Sequence, residues 1–479
     1  LEYKHGIYGY ENPSPTVDAA ESAIVQVVVG TAPVNLVKDA PLNVPVKVKN
    51  FDEAAQLFGF SEEFDNYTLC ASMELSLNVF KIAPLVFINV LDKTKHKEDA
   101  TDILVDVTNG IATSNVTGIL KETVVVKNQA GDTTYARDAD YTLGFNTQGK
   151  LEVTINSGGT AKDEAKVSLT YSAIDASKVT EADIIGGYDA ATNAYTGLEL
   201  IKQVYPRLSL VPGLVIVPGY SQKSEVARKM EEISRNIHDC FNATVIVDCD
   251  PTIHDHTKVG AWKNENGYTE KGAIALWPKI KCNGIAYFYS QFAAAAIQSN
   301  DNKNGDVPHQ SPSNKKVPME ATILSDGKEI FLEQSQANVL NSAGIVTAVN
   351  MSGWRIWGNE TCAYPSSEDP KDRYIMTRRI FDFIGNQFVL KFIEKVDDPT
   401  NKRLIESVVD SFNMYLNGLA SAGMITKGKI SFDYTSATYE NLLEGKLKFI
   451  TRLSGNTPAK EIVHTTEFDP SGLIAIGGE

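Results

Sequence analysis

The sequence predicts a multi-domain chain of mixed α+β and α/β class, in which an α/β layer is interrupted by an inserted β-sandwich and followed by a C-terminal domain of helices and strands. Three observations carry this. Strand-like apolar runs alternate with helical spacing on both sides of residues 96–183, the composition between those limits turns to Val, Thr, Asn and Gly in short alternating runs, and the last third opens with two helices and ends on strands. At 479 residues the chain has length for about three domains, each with its own core. Its 43% hydrophobic and 22% charged residues are ordinary for a globular protein and exclude a disordered or fibrous class.

The elements follow in order. Gly6 to Pro15 mixes glycine, proline and aromatics, which favours an extended arm, and Ala23–Val29 reads as a buried strand ended by Gly30. Apolar spacing is helical over 52–58 and 67–80, and 85–90 is a second buried strand. The charged run Lys93–Asp99 marks a boundary near residue 95. Beyond it, 122–127, 141–145, 150–155 and 165–171 are short strands between turn signals, hence the sandwich. The α/β pattern resumes near Ile184 with a strand at 214–218, an amphipathic helix over 221–241 capped by Ser221, and a strand at 244–248, a βαβ unit. Residues 299–318 read as a polar surface loop. The helix over 378–396 carries Ile380, Ile384, Phe388 and Phe392, with so many flanking apolar residues that it must be largely buried. A second helix starts at Asp398-Pro399 and stops at Gly423, and strands at 445–453 and 461–468 close the chain. The domain limits expected are 1–30 for the arm and first strand, 31–95 with 184–340 for the α/β domain, 96–183 for the insertion and 341–479 for the C-terminal domain.

Function classes are narrowed by charge and by missing motifs. A net charge of -15 argues against nucleic acid as a partner, because phosphate neutralisation needs a basic surface. The first residues lack a basic segment followed by an apolar core, and no run reaches bilayer-spanning length, so a non-secreted, non-membrane protein is expected. Five scattered cysteines without a CxxC pair read as buried thiols. No P-loop, GxGxxG, GxSxG or HExxH pattern occurs. One loop holds candidate metal ligands, Asp248, Asp250, His254 and His256, at the carboxyl end of a parallel strand. The same residue types also serve as turn and helix-cap formers, and the other five histidines are scattered. A metal-dependent α/β hydrolase with a surface-binding sandwich is therefore the alternative function. Lys446, Lys448 and Arg452 on the strand at 445–453, with Arg378, Arg379, Lys391 and Lys395 on the helix before, form a basic strip suited either to an acidic partner or to solvent.

The order of motifs resembles the sheath proteins of contractile phage tails and of phage-tail-like bacteriocins. Asn341-Ser342-Ala343-Gly344-Ile345, followed by Trp357-Gly358-Asn359-Glu360-Thr361, is similar to that family's N-x-x-G-I and W-G-x-R-T passage, with Glu360 standing where the family has arginine. Tyr374-Ile375 through Arg378-Arg379 to Phe383-Ile384 resembles its Y-I-x-x-R-R-L-x-x-F-I helix. Gly6-Ile7-Tyr8 is similar to its N-terminal arm, and 141–171 to the β-module of larger sheaths. The resemblance implies an inner α+β domain built from the N- and C-terminal segments and facing a tail tube, with the α/β and inserted domains farther out. It implies stacked hexameric rings joined by strand exchange through Ile7, Tyr8, Tyr10, Lys446, Lys448 and Phe449, and tube contact through Arg378, Arg379, Lys391 and Lys395. Contraction driving the tube through a cell envelope would use no cofactor, no metal and no catalytic residue. The implied partners are further copies of the chain, the tail tube protein, the baseplate and the tail terminator. The implied place is the virion tail, or a tail-like particle, assembled in the bacterial host cytoplasm.

Overall fold

Val25, Val27, Val28 and Val29 follow one another on both faces of β1 (Ala20–Gly30), and all four are fully buried. A run with no polar face can be buried in this way only inside a sheet covered on both sides. The computed structural model describes residues 20–469 and places β1 there. Its neighbours in sequence are β2 (Val46–Val48), α1 (Phe51–Phe58), α2 (Thr68–Met73) and β3 (Ile82–Asn89). The helical spacing over 67–80 is met by α2 together with a π-helical turn over Glu74–Val79.

The insertion follows as β4 (Lys97–Thr108), β5 (Ile111–Thr117), β6 (Val125–Asn128), β7 (Tyr141–Phe145), β8 (Lys150–Ile155) and β9 (Lys166–Ile174). These strands make one antiparallel sheet in the order β6-β9-β4-β5-β8-β7. Because β4 pairs with β9 along most of its length and with β5 at its end, a single sheet folds over on itself instead of forming two separate ones. Val126, Leu169, Ala112, Leu151 and Val153 meet in the core between its halves, distinct from the core of the α/β layer. Lys97 pairs with Ile174, so the insertion leaves and re-enters its host at one point.

The chain then forms α3 (Glu181–Ile185), the hairpin β10 (Gly187–Asp189) and β11 (Ala194–Thr196), α4 (Val204–Leu208), β12 (Pro212–Ile216), α5 (Ser224–Ser234), β13 (Thr244–Asp248), α6 (His256–Glu265) and β14 (Ala273–Leu276). A small antiparallel sheet holds β15 (Lys279–Cys282), β16 (Ile285–Tyr287), β17 (Ala321–Ile323) and β18 (Glu329–Ile330), with α7 (Tyr289–Lys303) between β16 and β17. After α8 (Gln334–Ser342), β19 (Ile345–Asn350) and β20 (Trp354–Trp357) complete the main sheet, whose order is β2-β3-β1-β12-β13-β14-β19-β20. All neighbouring pairs from β3 to β19 are parallel, and only the edge strands β2 and β20 run antiparallel.

This topology corrects four expectations. Residues 20–30 are hydrogen-bonded into the α/β sheet rather than standing with the C-terminal domain, and the same sheet takes in 345–357, so the α/β domain extends past residue 340. Ser221 is not a helix cap: its hydroxyl accepts from the Asp248 amide at 3.0 Å, while α5 begins at Ser224. That helix ends at Ser234 because His238 and Asp239 adopt left-handed backbone angles, closing a turn instead of continuing to residue 241. The segment 299–318 is not wholly a surface loop, since α7 runs through Lys303 and Asp301 is completely buried. Its Asn and Asp residues signal turns locally, but a tertiary ion pair holds them in the helix.

The C-terminal region is α9 (Pro370–Arg373), α10 (Ile375–Phe392), α11 (Lys402–Ser421), β21 (Lys427–Phe432), α12 (Tyr439–Leu443) and β22 (Phe449–Ser454). Residues 461–468 form no strand, and every residue from 461 to 469 is exposed. The alternation there is adequate for a strand, but no described sheet edge lies alongside to receive its hydrogen bonds. Among the described residues no helix is long and apolar enough to cross a membrane.

Candidate assembly surface

α11 is started by Asn401, whose side chain accepts from the Leu404 amide at 2.9 Å, and is stopped at Gly423, which takes a φ of 73°. Its apolar stripe is Val408, Phe412, Leu416 and Leu419, of which the last three share a core with Ile380 and Ile384 of α10 and with Ile430. Phe388 stands edge-on to Phe412 with centroids 5.2 Å apart. The helix pair thereby supports a two-stranded antiparallel sheet, β21 with β22.

That small sheet has two unlike faces. Gly428, Ile430 and Phe432 turn inward opposite Leu453, Thr451 and Phe449. Lys427 and Lys429 turn outward, and Lys429 lies directly opposite Arg452. The outer edge of β21 is sealed at Ile430, whose N–H donates to Asn413 Oδ1 at 2.9 Å and whose carbonyl accepts from Asn413 Nδ2 at 3.0 Å. Since the backbone groups of Ile430 point away from β22, those of its opposite, Thr451, point away from β21.

Beyond β22 the chain is tied down at two points and then released. Asn456 Nδ2 donates to the Gly423 carbonyl at 3.0 Å, and its own carbonyl accepts from Thr377 Oγ1 at 3.3 Å. Lys460 Nζ donates to Glu360 Oε1 at 2.6 Å, and Arg373 lies 3.6 Å from the same oxygen. Glu360 is only 2% exposed, so the residue that replaces the resembled arginine is a buried carboxylate held by two cations. Past this latch Ile462 is 87% and Phe468 79% exposed.

α10 joins this region to the α/β layer through polar contacts. Arg379 is paired with the buried Asp301, one of its nitrogens lying 3.1 Å from the carboxylate. Asp382 accepts from Arg235 at 2.8 Å and from Arg378 at 2.7 Å, and the Asn386 side chain bridges the backbone N–H and carbonyl of Asn242. Arg378 and Arg379 are thus spent inside the chain, which removes them from the expected outward basic strip. Lys391 and Lys395 remain exposed, the first over the Tyr415 ring at 4.4 Å and the second 3.1 Å from Asp398. Burial pushes the Tyr415 hydroxyl up to about 12. The exposed Lys448 pairs with the mostly covered Asp433 at 3.2 Å and Lys446 with Glu444 on the surface, while Phe449 is half-buried. Hydrogen bonds from Thr435 and Lys448 hold the Asp433 carboxyl below its ordinary range. Ile7, Tyr8 and Tyr10 lie outside the described residues.

The candidate metal loop does not converge. Asp248 is fully buried beneath α7, accepting from the Ser290 amide at 2.7 Å and from the Ser290 and Ser221 hydroxyls. Burial raises its carboxyl to about 6, against the opposing effect of those hydrogen bonds. His254 faces Asp326 at 3.5 Å on the surface, and His256 opens α6, which is capped by Asp255. Among the described residues no three His, Cys, Asp or Glu side chains are arranged to hold a metal ion, and all five cysteines are free thiols.

Sequence reasoning missed Lys427, Lys429, Asn413, Asn456 and the Glu360–Lys460 pair. The first two were within reach, because Lys427-Gly428-Lys429-Ile430-Ser431-Phe432 alternates like a strand with one basic face. The others depend on contacts distant in sequence.

No protein-family model matches the chain. It is 26% identical to the tail sheath protein of Burkholderia phage BcepMu over an alignment of 494 positions, covering 99% of each chain. In fold it is similar to a chain of the anti-feeding prophage baseplate, with a TM-score of 0.59 at 13% identity, covering 98% of this chain and 100% of the other. It is also similar to a chain of the contracted sheath complex of an extracellular contractile injection system (PVC), with a TM-score of 0.57 at 13% identity and coverage of 98% and 99%.

Proposed function

We propose that this chain is the sheath subunit of a contractile tail or of a tail-like injection machine, a structural protein that polymerises around a tail tube and drives it through the target envelope by contracting. The observation that carries this reading is the end-to-end similarity to a phage tail sheath protein, reinforced by a full-length likeness in fold to chains of contractile assemblies. Relatedness over the whole length argues for the function of the whole chain and not for a borrowed domain.

The C-terminal region supports the assembly mode. A two-stranded sheet is marginal alone and leaves β22 with an open edge, while residues 461–469 are exposed and belong to no strand of their own chain. Strand addition between subunits satisfies both, giving backbone hydrogen bonds at the contact while the latched root of the arm lets rigid bodies turn about it. Stacked hexameric rings joined in this way form the sheath. The N-terminal arm with Ile7, Tyr8 and Tyr10 joins the same mesh, and Phe449, Lys446 and Lys448 lie at the receiving sheet. The C-terminal domain is the inner one, facing the tube with Lys391 and Lys395, and the α/β and inserted domains lie outward. The baseplate and the tail terminator meet the two ends. The extended sheath is a metastable state that relaxes on triggering.

No catalytic role enters this function, and the hydrolase alternative loses its ground because its four candidate ligands do not come together. Removal of residues 461–479 tests the reading. The truncated chain should keep its melting temperature and elute as a monomer in size-exclusion chromatography, where the full chain forms large assemblies. Unchanged assembly after truncation would contradict it.

A further inference from the structure

The C-terminal end of α7, the turn at Val79 and the segment 310–318 enclose a cleft of about 510 Å³. Phe80, Val317 and Ile356 give it an apolar floor, and the exposed Lys303, Lys315 and Lys316 stand at its rim. No carboxylate among the described residues lines it, although the chain carries a net charge of -15. The three lysines form no ion pair among the described residues, and Lys315 Nζ donates only to the neutral Gln310 Oε1, at 2.8 Å. Three like charges with no acid beside them make a local field that attracts an anionic partner.

The cap that joins β21 to β22 is the chemical complement. Residues 434–445 hold Glu440 and Glu444 and no lysine or arginine. Asn441 fastens α12 inward, its Nδ2 donating to the Ser436 carbonyl at 2.8 Å. Tyr439 is left 78% and Leu443 69% exposed, one helical turn apart on one side, with Leu442 39% exposed next to them. Glu440 and Glu444 follow one another at the same spacing alongside. Glu444 meets Lys446 only in an exposed surface pair, which is weak and readily exchanged.

Cleft and cap lie apart within one chain. The cleft shares Gln310 and Lys315 with a neighbouring hollow that reaches Gly423 and Asn456 at the root of the β21–β22 hairpin, whereas α12 closes the opposite end. Six paired residues, roughly 20 Å of strand, separate those ends.

We infer that α12 of a second copy of this chain docks in the cleft, seating Tyr439 and Leu443 on its apolar floor and bringing Glu440 and Glu444 to the three lysines. The inference rests on the proposed sheath function and adds to it a contact between copies that does not involve the terminal arms. Because the two surfaces are different parts of the chain, the contact runs head to tail. Each added copy leaves one cleft and one cap free, so the contact propagates into a ring or a helix instead of closing as a two-fold pair. The seated apolar side chains supply affinity, while the lysines select an acidic cap and make the association sensitive to salt.

Disulfide trapping between two full-length variants tests this. Ser299→Cys places a thiol in the cleft and Leu442→Cys places one beside the docking side chains, while four of the five native cysteines are buried. The two proteins are prepared separately, checked for folding by thermal melting, and mixed under oxidising conditions at a concentration where the wild type assembles. A covalent dimer is expected from the mixture, at a yield at least tenfold above that of either protein alone. Adding Glu440→Lys and Glu444→Lys to the Leu442→Cys protein should cut the yield at least tenfold, and adding Lys303→Glu and Lys315→Glu to the Ser299→Cys protein should then restore it. No dimer from the mixture while the wild type assembles overturns the inference and leaves the sheath reading standing. A dimer formed equally well by Leu442→Cys alone, or a yield unmoved by the charge reversals, overturns it too. A wild type that stays monomeric at every concentration overturns the sheath reading itself, and the inference with it.

Discussion

Glu231 shows how a single side chain can set the pH response of the fold. It is buried on α5, its Oε1 finds no donor among the described residues, and burial with the nearby Glu270 raises its carboxyl to about 8, against an opposing pull from Arg235. The folded chain therefore binds a proton there that the unfolded chain has released above its ordinary value of 4.5, and stability falls as pH rises from that value to about 8. Glu231→Gln keeps the shape without the charge. Its melting temperature should match the wild type near pH 4 and exceed it by several degrees near about pH 8.5, the difference growing across that window. Equal melting temperatures at both ends would contradict the assignment. The buried Arg379–Asp301 pair makes the same point about position: two charges that read as surface residues in sequence are structural because each is the other's partner.

Among the elements, the arm root is the most exposed to test. Lys460→Ala removes one of the two cations on Glu360 but leaves Arg373 in place. Amide hydrogen exchange across 455–469 should accelerate while the melting temperature of the body barely moves, and an unchanged exchange rate would remove the latch. The two C-terminal helices were legible because their cues are local. Val408, Phe412, Leu416 and Leu419 repeat at helical spacing between Asn401 and Gly423, and the structure differs from that expectation by only a few residues. β7 and β8 begin and end where their alternation predicts. What could not be read was set by partners remote in sequence. Asp301 continues α7 through an Asn-rich run because Arg379 waits 78 residues later, and Ser221 leaves its expected cap for Asp248. The strand expected at 461–468 was inferred from alternation alone, and alternation says nothing of where the neighbouring edge lies.

At the scale of the whole molecule, three bodies differ in how they are joined. The insertion has its own core and enters and leaves its host at the paired residues Lys97 and Ile174. Replacing 98–173 by a short glycine-serine link should therefore leave the remainder folded and still able to assemble, as checked by melting and by light scattering. The C-terminal region, by contrast, is bound to the α/β layer by Arg379–Asp301, Asp382–Arg235 and Asn386–Asn242, all three made by α10. The most direct test of the account is negative-stain electron microscopy of this chain expressed alone, over a range of concentrations. Hollow tubes or stacked rings are predicted, because on the proposed function the chain assembles with further copies of itself. Uniform particles the size of a single chain at every concentration would contradict it.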